Sequence, residues 1–192
     1  MARTNMSVDQ TVFDEFSSQA QTQNKTLFAF TNEWLSVAAK LSKDGWSPSK
    51  IEGIAHSISL LKEMDVITLP SDFVDELIAR QYKADKEGLL QMFREMGSSL
   101  VGLLKIAAPD LDGLSELAKE FMILLPVKQF KVLKDETNSI EVDIVGAGRK
   151  RESAECTFKF LEAILDGYSY SVSKYETGVG MLRIWAYKRD AY

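Results

Sequence analysis

Apolar residues recur along this chain first with a helical period and then, after Pro126, with the period of a strand. Val12, Phe13, Phe16 and Ala20 share one helical face over residues 10 to 23, and Asp9 stands where an N-cap belongs. Asn24-Lys25-Thr26 interrupts the pattern. A second helix is expected over residues 27 to 42, with Leu27, Phe30, Trp34, Leu35, Ala38 and Leu41 on its apolar side and Gly45 just past its end. Ser47-Pro48 opens a third helix, striped by Ile51, Ile54, Ala55, Ile58 and Leu61 and fading at Met64-Asp65. Residues 67 to 70 read as an extended link. Ser71 or Asp72 then starts a helix whose apolar side is Phe73, Leu77 and Ile78, followed by a hinge or boundary near residues 83 to 88. One long amphipathic helix follows over residues 89 to 106. It stops at Pro109-Asp110, and Gly113 is expected to turn the chain into residues 114 to 125.

Beyond Pro126, Phe130 and Val132 lead to a polar turn at residues 135 to 138. Ile140, Val142 and Ile144 then alternate with Glu141 and Asp143, which predicts a hairpin. A helix over residues 153 to 165 ends at Asp166-Gly167. Strands over residues 168 to 175 and 181 to 188 make a second hairpin, joined by residues 176 to 180. Two sequential hairpins and several helices predict an α+β fold: a four-stranded antiparallel sheet with helices on one side.

The first residues differ from everything after them. Residues 3 to 8 alternate as a strand does, with Thr4, Met6 and Val8 on one face and Arg3, Asn5 and Ser7 on the other. One strand and two short helices cannot bury their own apolar groups, and a lone strand leaves both backbone edges unpaired. A twofold dimer resolves this. The strands pair antiparallel, four helices cover the Thr4/Met6/Val8 face, and the polar face is presented twice. Such a ribbon fits the major groove, where arginine reads guanine, asparagine reads adenine and serine bonds to either. The backbone amides near Lys25 to Leu27, at the start of the second helix, would hold a phosphate. The alternative is a tail followed by helices that belong to the larger part of the chain.

On Arg3-Thr-Asn-Met-Ser-Val-Asp9, the two helices and the polar turn ending in Thr26, residues 2 to 43 resemble the ribbon-helix-helix family of DNA-binding proteins. The resemblance implies an intertwined homodimer that reads bases with Arg3, Asn5 and Ser7 and clamps phosphate at Thr26 beside Lys25. The turn has Asn24 where glycine is common, and asparagine also tolerates left-handed backbone. Basic excess is small, since Arg3, Lys25, Lys40 and Lys43 stand against Asp9, Asp14, Glu15 and Glu33. Affinity per dimer is therefore expected to be modest, or helped by further dimers along the DNA.

The element order after residue 89, with Gly97-Ser-Ser-Leu-Val-Gly102 before the sheet and Cys156-Thr-Phe-Lys-Phe-Leu-Glu-Ala-Ile-Leu-Asp-Gly167 within it, resembles the four-vinyl-reductase-type ligand-binding domain, whose fold also occurs in vesicle-tethering subunits. That resemblance implies a small apolar ligand between helices and sheet, or a dimerising surface. Members often carry cysteines near the last strands, but residues 175 to 184 have none, so no metal is implied. The expected organisation is residues 1–45 for DNA, 46–88 as a helical connector and 89–192 for sensing or partner binding.

Composition narrows the function. The net charge of -5 argues against a chain that coats nucleic acid without specificity, though not against one that presents a short strand. A single cysteine, Cys156, fits a reducing cytoplasm and leaves no disulfide within one chain. No apolar run approaches a membrane span or a signal peptide. Gly146-Ala-Gly148-Arg-Lys-Arg151 matches no nucleotide fingerprint and reads as a loop with a solvated basic patch. The lone histidine, His56, reads as a surface or partly packed side chain. No nucleophile–base pair or spaced carboxylates indicate an enzyme, and no cofactor or metal is expected. The resulting expectation is a DNA-binding transcriptional regulator, dimeric or of higher order and controlled through its C-terminal domain. The rival is a scaffold dimer that uses the same N-terminal fold for assembly alone.

Overall fold

The computed structural model describes residues 5–122, 124–135 and 139–189 of the 192. The chain divides into two compact units, residues 1–51 and 52–192.

In the first unit, α1 (Gln10–Thr22) begins where the Asp9 carboxylate accepts the Thr11 amide at 2.9 Å. Asn24 takes a left-handed φ of 54°, which turns the chain. α2 (Leu27–Lys43) starts at Thr26, whose hydroxyl accepts the Ala29 amide at 3.2 Å. Gly45, at φ 81°, follows its end. Phe16 packs on Phe30 with ring centroids 4.6 Å apart.

The second unit holds most of α3 (Pro48–Glu63), then α4 (Ser71–Ala84), α5 (Lys86–Ala107), α6 (Leu111–Phe121), β1 (Gln129–Lys134), β2 (Ser139–Val145), α7 (Arg151–Gly167), β3 (Tyr170–Gly178) and β4 (Met181–Lys188). The α+β class and the four-stranded antiparallel sheet are as expected. The strand order is β1-β2-β4-β3, so the two hairpins join through β2 and β4. Ile140, Val142 and Ile144 of β2 and Leu182, Ile184 and Ala186 of β4 are buried on one face. Phe158, Ile164 and Leu165 of α7 belong to the same core. A bulge between Val172 and Lys174 interrupts the edge strand β3, which discourages pairing with another chain.

Several local expectations are corrected. Gly113 lies in the first turn of α6, because the Asp110 carboxylate accepts its amide at 2.8 Å and starts the helix there. Tyr168 is not in a strand. It follows α7, is buried, and its hydroxyl donates to the Ala108 carbonyl at 2.6 Å, while Ser169 turns the chain at φ 65°. The second hairpin closes at Val179-Gly180, shorter than the five residues expected, with Gly180 at φ 70°. On α4, Phe73 and Leu77 are 52% and 48% exposed, whereas Asp75 and Ala79 are buried. The helix is thus turned with a carboxylate inward, for a reason given below.

The two glycines of α5 differ. A Cβ on Gly97 would lie 2.3 Å from the Phe160 carbonyl oxygen of α7, whereas one on Gly102 meets nothing within 4 Å. Close packing therefore depends on Gly97 but not on Gly102.

Candidate nucleic-acid interface

Of the residues expected to read DNA, Arg3 lies outside the described residues. Asn5 and Ser7 are exposed, and residues 5 to 9 have neither helical nor sheet structure in the single chain. The expected strand is therefore not formed here. A ribbon of this kind takes its hydrogen bonds from a second copy, and one chain alone cannot supply them. Met6 and Val8, the residues such a ribbon would turn inward, are 63% and 49% exposed.

Thr26 and Lys25 sit together at the N-terminus of α2. Thr26 caps the helix. The Lys25 ammonium lies 2.6 Å from the Glu33 carboxylate and 5.9 Å from the centre of the Phe30 ring. Lys25 therefore reaches a phosphate only by leaving Glu33. That exposed pair is worth little, roughly 0.2–1 kcal/mol, and salt screens it. The sequence did not signal Glu33 as its partner, because Lys25 precedes the helix and the usual three- or four-residue spacing does not apply.

The apolar residues of this unit remain largely uncovered. Among the described residues 5 to 51, only Ala20 and Phe30 are buried. Val12, Phe13, Trp34, Leu35 and Val37 are each at least 45% exposed, alongside Met6 and Val8. Large apolar patches on soluble proteins mark surfaces that another molecule covers.

No protein-family model matches the chain, and no curated protein matches it. A structure solved for work probing the function of heme distortion in the H-NOX family aligns with 70% of this chain and 85% of that one, at 14% identity and a TM-score of 0.43. So distant a likeness assigns neither ligand nor family.

Other candidates from the sequence resolve into structural contacts. The Gly146–Arg151 stretch is a loop with Arg149 and Arg151 exposed, as expected, but its cations face acidic partners. The Arg149 guanidinium lies 2.5 Å from Asp72, and Lys150 pairs with Glu76, both on α4. His56 Nδ1 lies 3.1 Å from Glu120 Oε2. On the outer sheet face, Arg183 lies 3.2 Å from Glu141 and 3.5 Å from Asp143, the Trp185 indole N–H donates to Glu141 at 3.2 Å, and Lys174 sits 4.6 Å from the centre of the Trp185 ring. These contacts engage the Trp185 ring and its indole N–H. Among the described residues, no helix is long and apolar enough to cross a membrane, and no three metal-ligating side chains gather.

Cys156 is fully buried at the α7 start. Burial pushes its thiol up to about 11, and the nearby Glu155 and Glu152 carboxylates push the same way. At pH 8 only about one thiol in a thousand is then ionised. Iodoacetamide should label Cys156 of the folded chain at least ~100-fold more slowly than a free thiol at that pH, with normal labelling restored in denaturant. Rapid labelling of the native chain would show that the thiol is accessible and reactive.

Proposed function

We propose that this chain is a homodimeric, sequence-specific DNA-binding regulator, working in the cytoplasm through its N-terminal unit. Two copies pair residues 3 to 8 as an antiparallel ribbon, and α1 and α2 of both cover its Met6/Val8 side. Arg3, Asn5 and Ser7 then face the major groove, and the N-terminus of α2 at Lys25 and Thr26 meets the phosphate backbone. Residues 89–192 bind a ligand or partner that controls the DNA-binding unit. A small apolar ligand is the expectation that follows from the four-vinyl-reductase resemblance.

The observation that supports this reading most is the combination of two short capped helices, joined by a left-handed Asn24 turn, with an apolar surface that the unit does not cover itself. Selection of binding sites from random duplex DNA with the full-length chain tests it. Enrichment of a palindromic site is the expected result, since a twofold protein reads twofold half-sites. Failure to enrich any sequence at low salt would reject base reading.

The rival, a dimer that only assembles, has one observation in its favour. Residues 1–51 are electroneutral: Arg3, Lys25, Lys40, Lys43 and Lys50 against Asp9, Asp14, Glu15, Glu33 and Asp44. Phosphate attraction is accordingly weak, and specificity must come from the strand.

A further inference from the structure

Helix α7 begins without a cap of its own, because Lys150 occupies the N-cap position and its side chain accepts no hydrogen bond there. A carboxylate from another helix lies beside that helix start. Asp75 of α4, 4% exposed, accepts the Arg149 amide at 2.9 Å and the Ser153 hydroxyl at 2.5 Å. The positive end of the α7 dipole favours an anion at this position. The loop is shaped to admit it: Gly148 has φ 84°, and a Cβ there would lie 2.4 Å from the Ser153 side chain and 3.1 Å from the Asp75 carboxylate. Asp72 and Glu76 flank Asp75 with their ion pairs to Arg149 and Lys150. At the other end of α4, the Tyr82 hydroxyl donates to Glu155.

Polar contacts thus help to hold α4, whose Ala79 is buried and whose Val74 and Ile78 are half-buried, while Phe73 and Leu77 are exposed. The links that flank it are exposed. Residues 65 to 70 are all exposed, with Ile67 at 76%, and Asp85 breaks the backbone from α5 at φ −153°, ψ 85°. We propose that α4 is a detachable strap, latched through Asp75 onto the N-terminus of α7 and able to leave it while α5, α7 and the sheet stay folded. Asp85 is the hinge, and release turns the Asp75/Ala79 side of α4 and the uncapped start of α7 to solvent.

Hydrogen–deuterium exchange on the full-length chain tests the strap, because local and global opening separate there. Asp75→Ala should speed exchange over residues 71–84 by at least about tenfold, the scale of losing a buried charged acceptor, with β2, β4 and the second half of α7 unchanged. Raising NaCl to 1 M should speed the same wild-type segment and no other. Ser153→Ala removes only one of the two donors to Asp75. It should speed residues 71–84 by about threefold, and it carries the test if Asp75→Ala does not fold. The strap is overturned if exchange over residues 71–84 is unmoved in the folded variants, or if it rises in step with β2 and β4.

Discussion

Deleting residues 1–8 should reduce the affinity of the full chain for its selected DNA site to the level of unrelated DNA, a loss on the order of a thousandfold or more. The physical reason is the division of labour at such interfaces. Phosphate contacts position a protein, and base contacts carry the sequence information. The electroneutral N-terminal unit has little of the first to offer, so in the proposed complex specific affinity depends on the second. Arg3→Ala is the graded form of the same test. It should cost about 1–3 kcal/mol, relax preference at one base in each half-site, and leave the other positions read as before. Asn5→Ala should act likewise at a different base. Fluorescence anisotropy against the selected site and single-base variants, at fixed salt, gives each of these values. Undiminished binding by the deleted chain would move the DNA contact elsewhere.

The second large effect is on stability. Gly97→Val should destabilise the second unit by about 3 kcal/mol or more, at the upper end of what overpacking costs. Even its Cβ would lie 2.3 Å from the Phe160 carbonyl oxygen and 3.1 Å from the Ala163 methyl, and backbone cannot swing aside as a flexible side chain does. α5 and α7 would have to separate, loosening contacts down to Gly167, where Val101 packs on the chain. Five residues along the same helix, Gly102→Ala should do the reverse and stabilise by roughly 0.5–1 kcal/mol, since its Cβ meets open space and alanine removes the helical penalty of glycine. Urea denaturation of the two variants should show midpoints shifted in opposite directions. A shared sign would contradict the close approach of α5 and α7 at Gly97.

These two glycines also mark a limit of the sequence. Met-Gly-Ser-Ser-Leu-Val-Gly shows small residues on an amphipathic helix, and nothing in it tells which one meets a neighbour. What periodicity and capping chemistry express locally was legible. Asp9 and Thr26 each stand at a helix start and cap it, and the alternation of Ile140, Val142 and Ile144 with Glu141 and Asp143 matches the burial of β2. What depends on distant partners was not. The inward turn of α4 places Asp75 against the Arg149 amide and the Ser153 hydroxyl, 74 and 78 residues away, and leaves Phe73 and Leu77 exposed. The β2–β4 pairing is likewise non-local. Tyr168 looked like the start of a strand because aromatic residues favour strands, but its hydroxyl reaches back 60 positions to Ala108. For the proposed DNA contact, the sequence offers the alternation of residues 3 to 8, and a ribbon needs a second chain before that alternation becomes structure.

Sedimentation equilibrium of the full-length chain at micromolar concentration tests the requirement for that second chain most directly. The expected species has twice the 21.6 kDa of one chain, or a higher even multiple, and reverts towards one chain when residues 1–8 are removed. A mass of one chain throughout the concentration range would leave Met6, Val8, Phe13 and Trp34 facing water, and would contradict a paired ribbon.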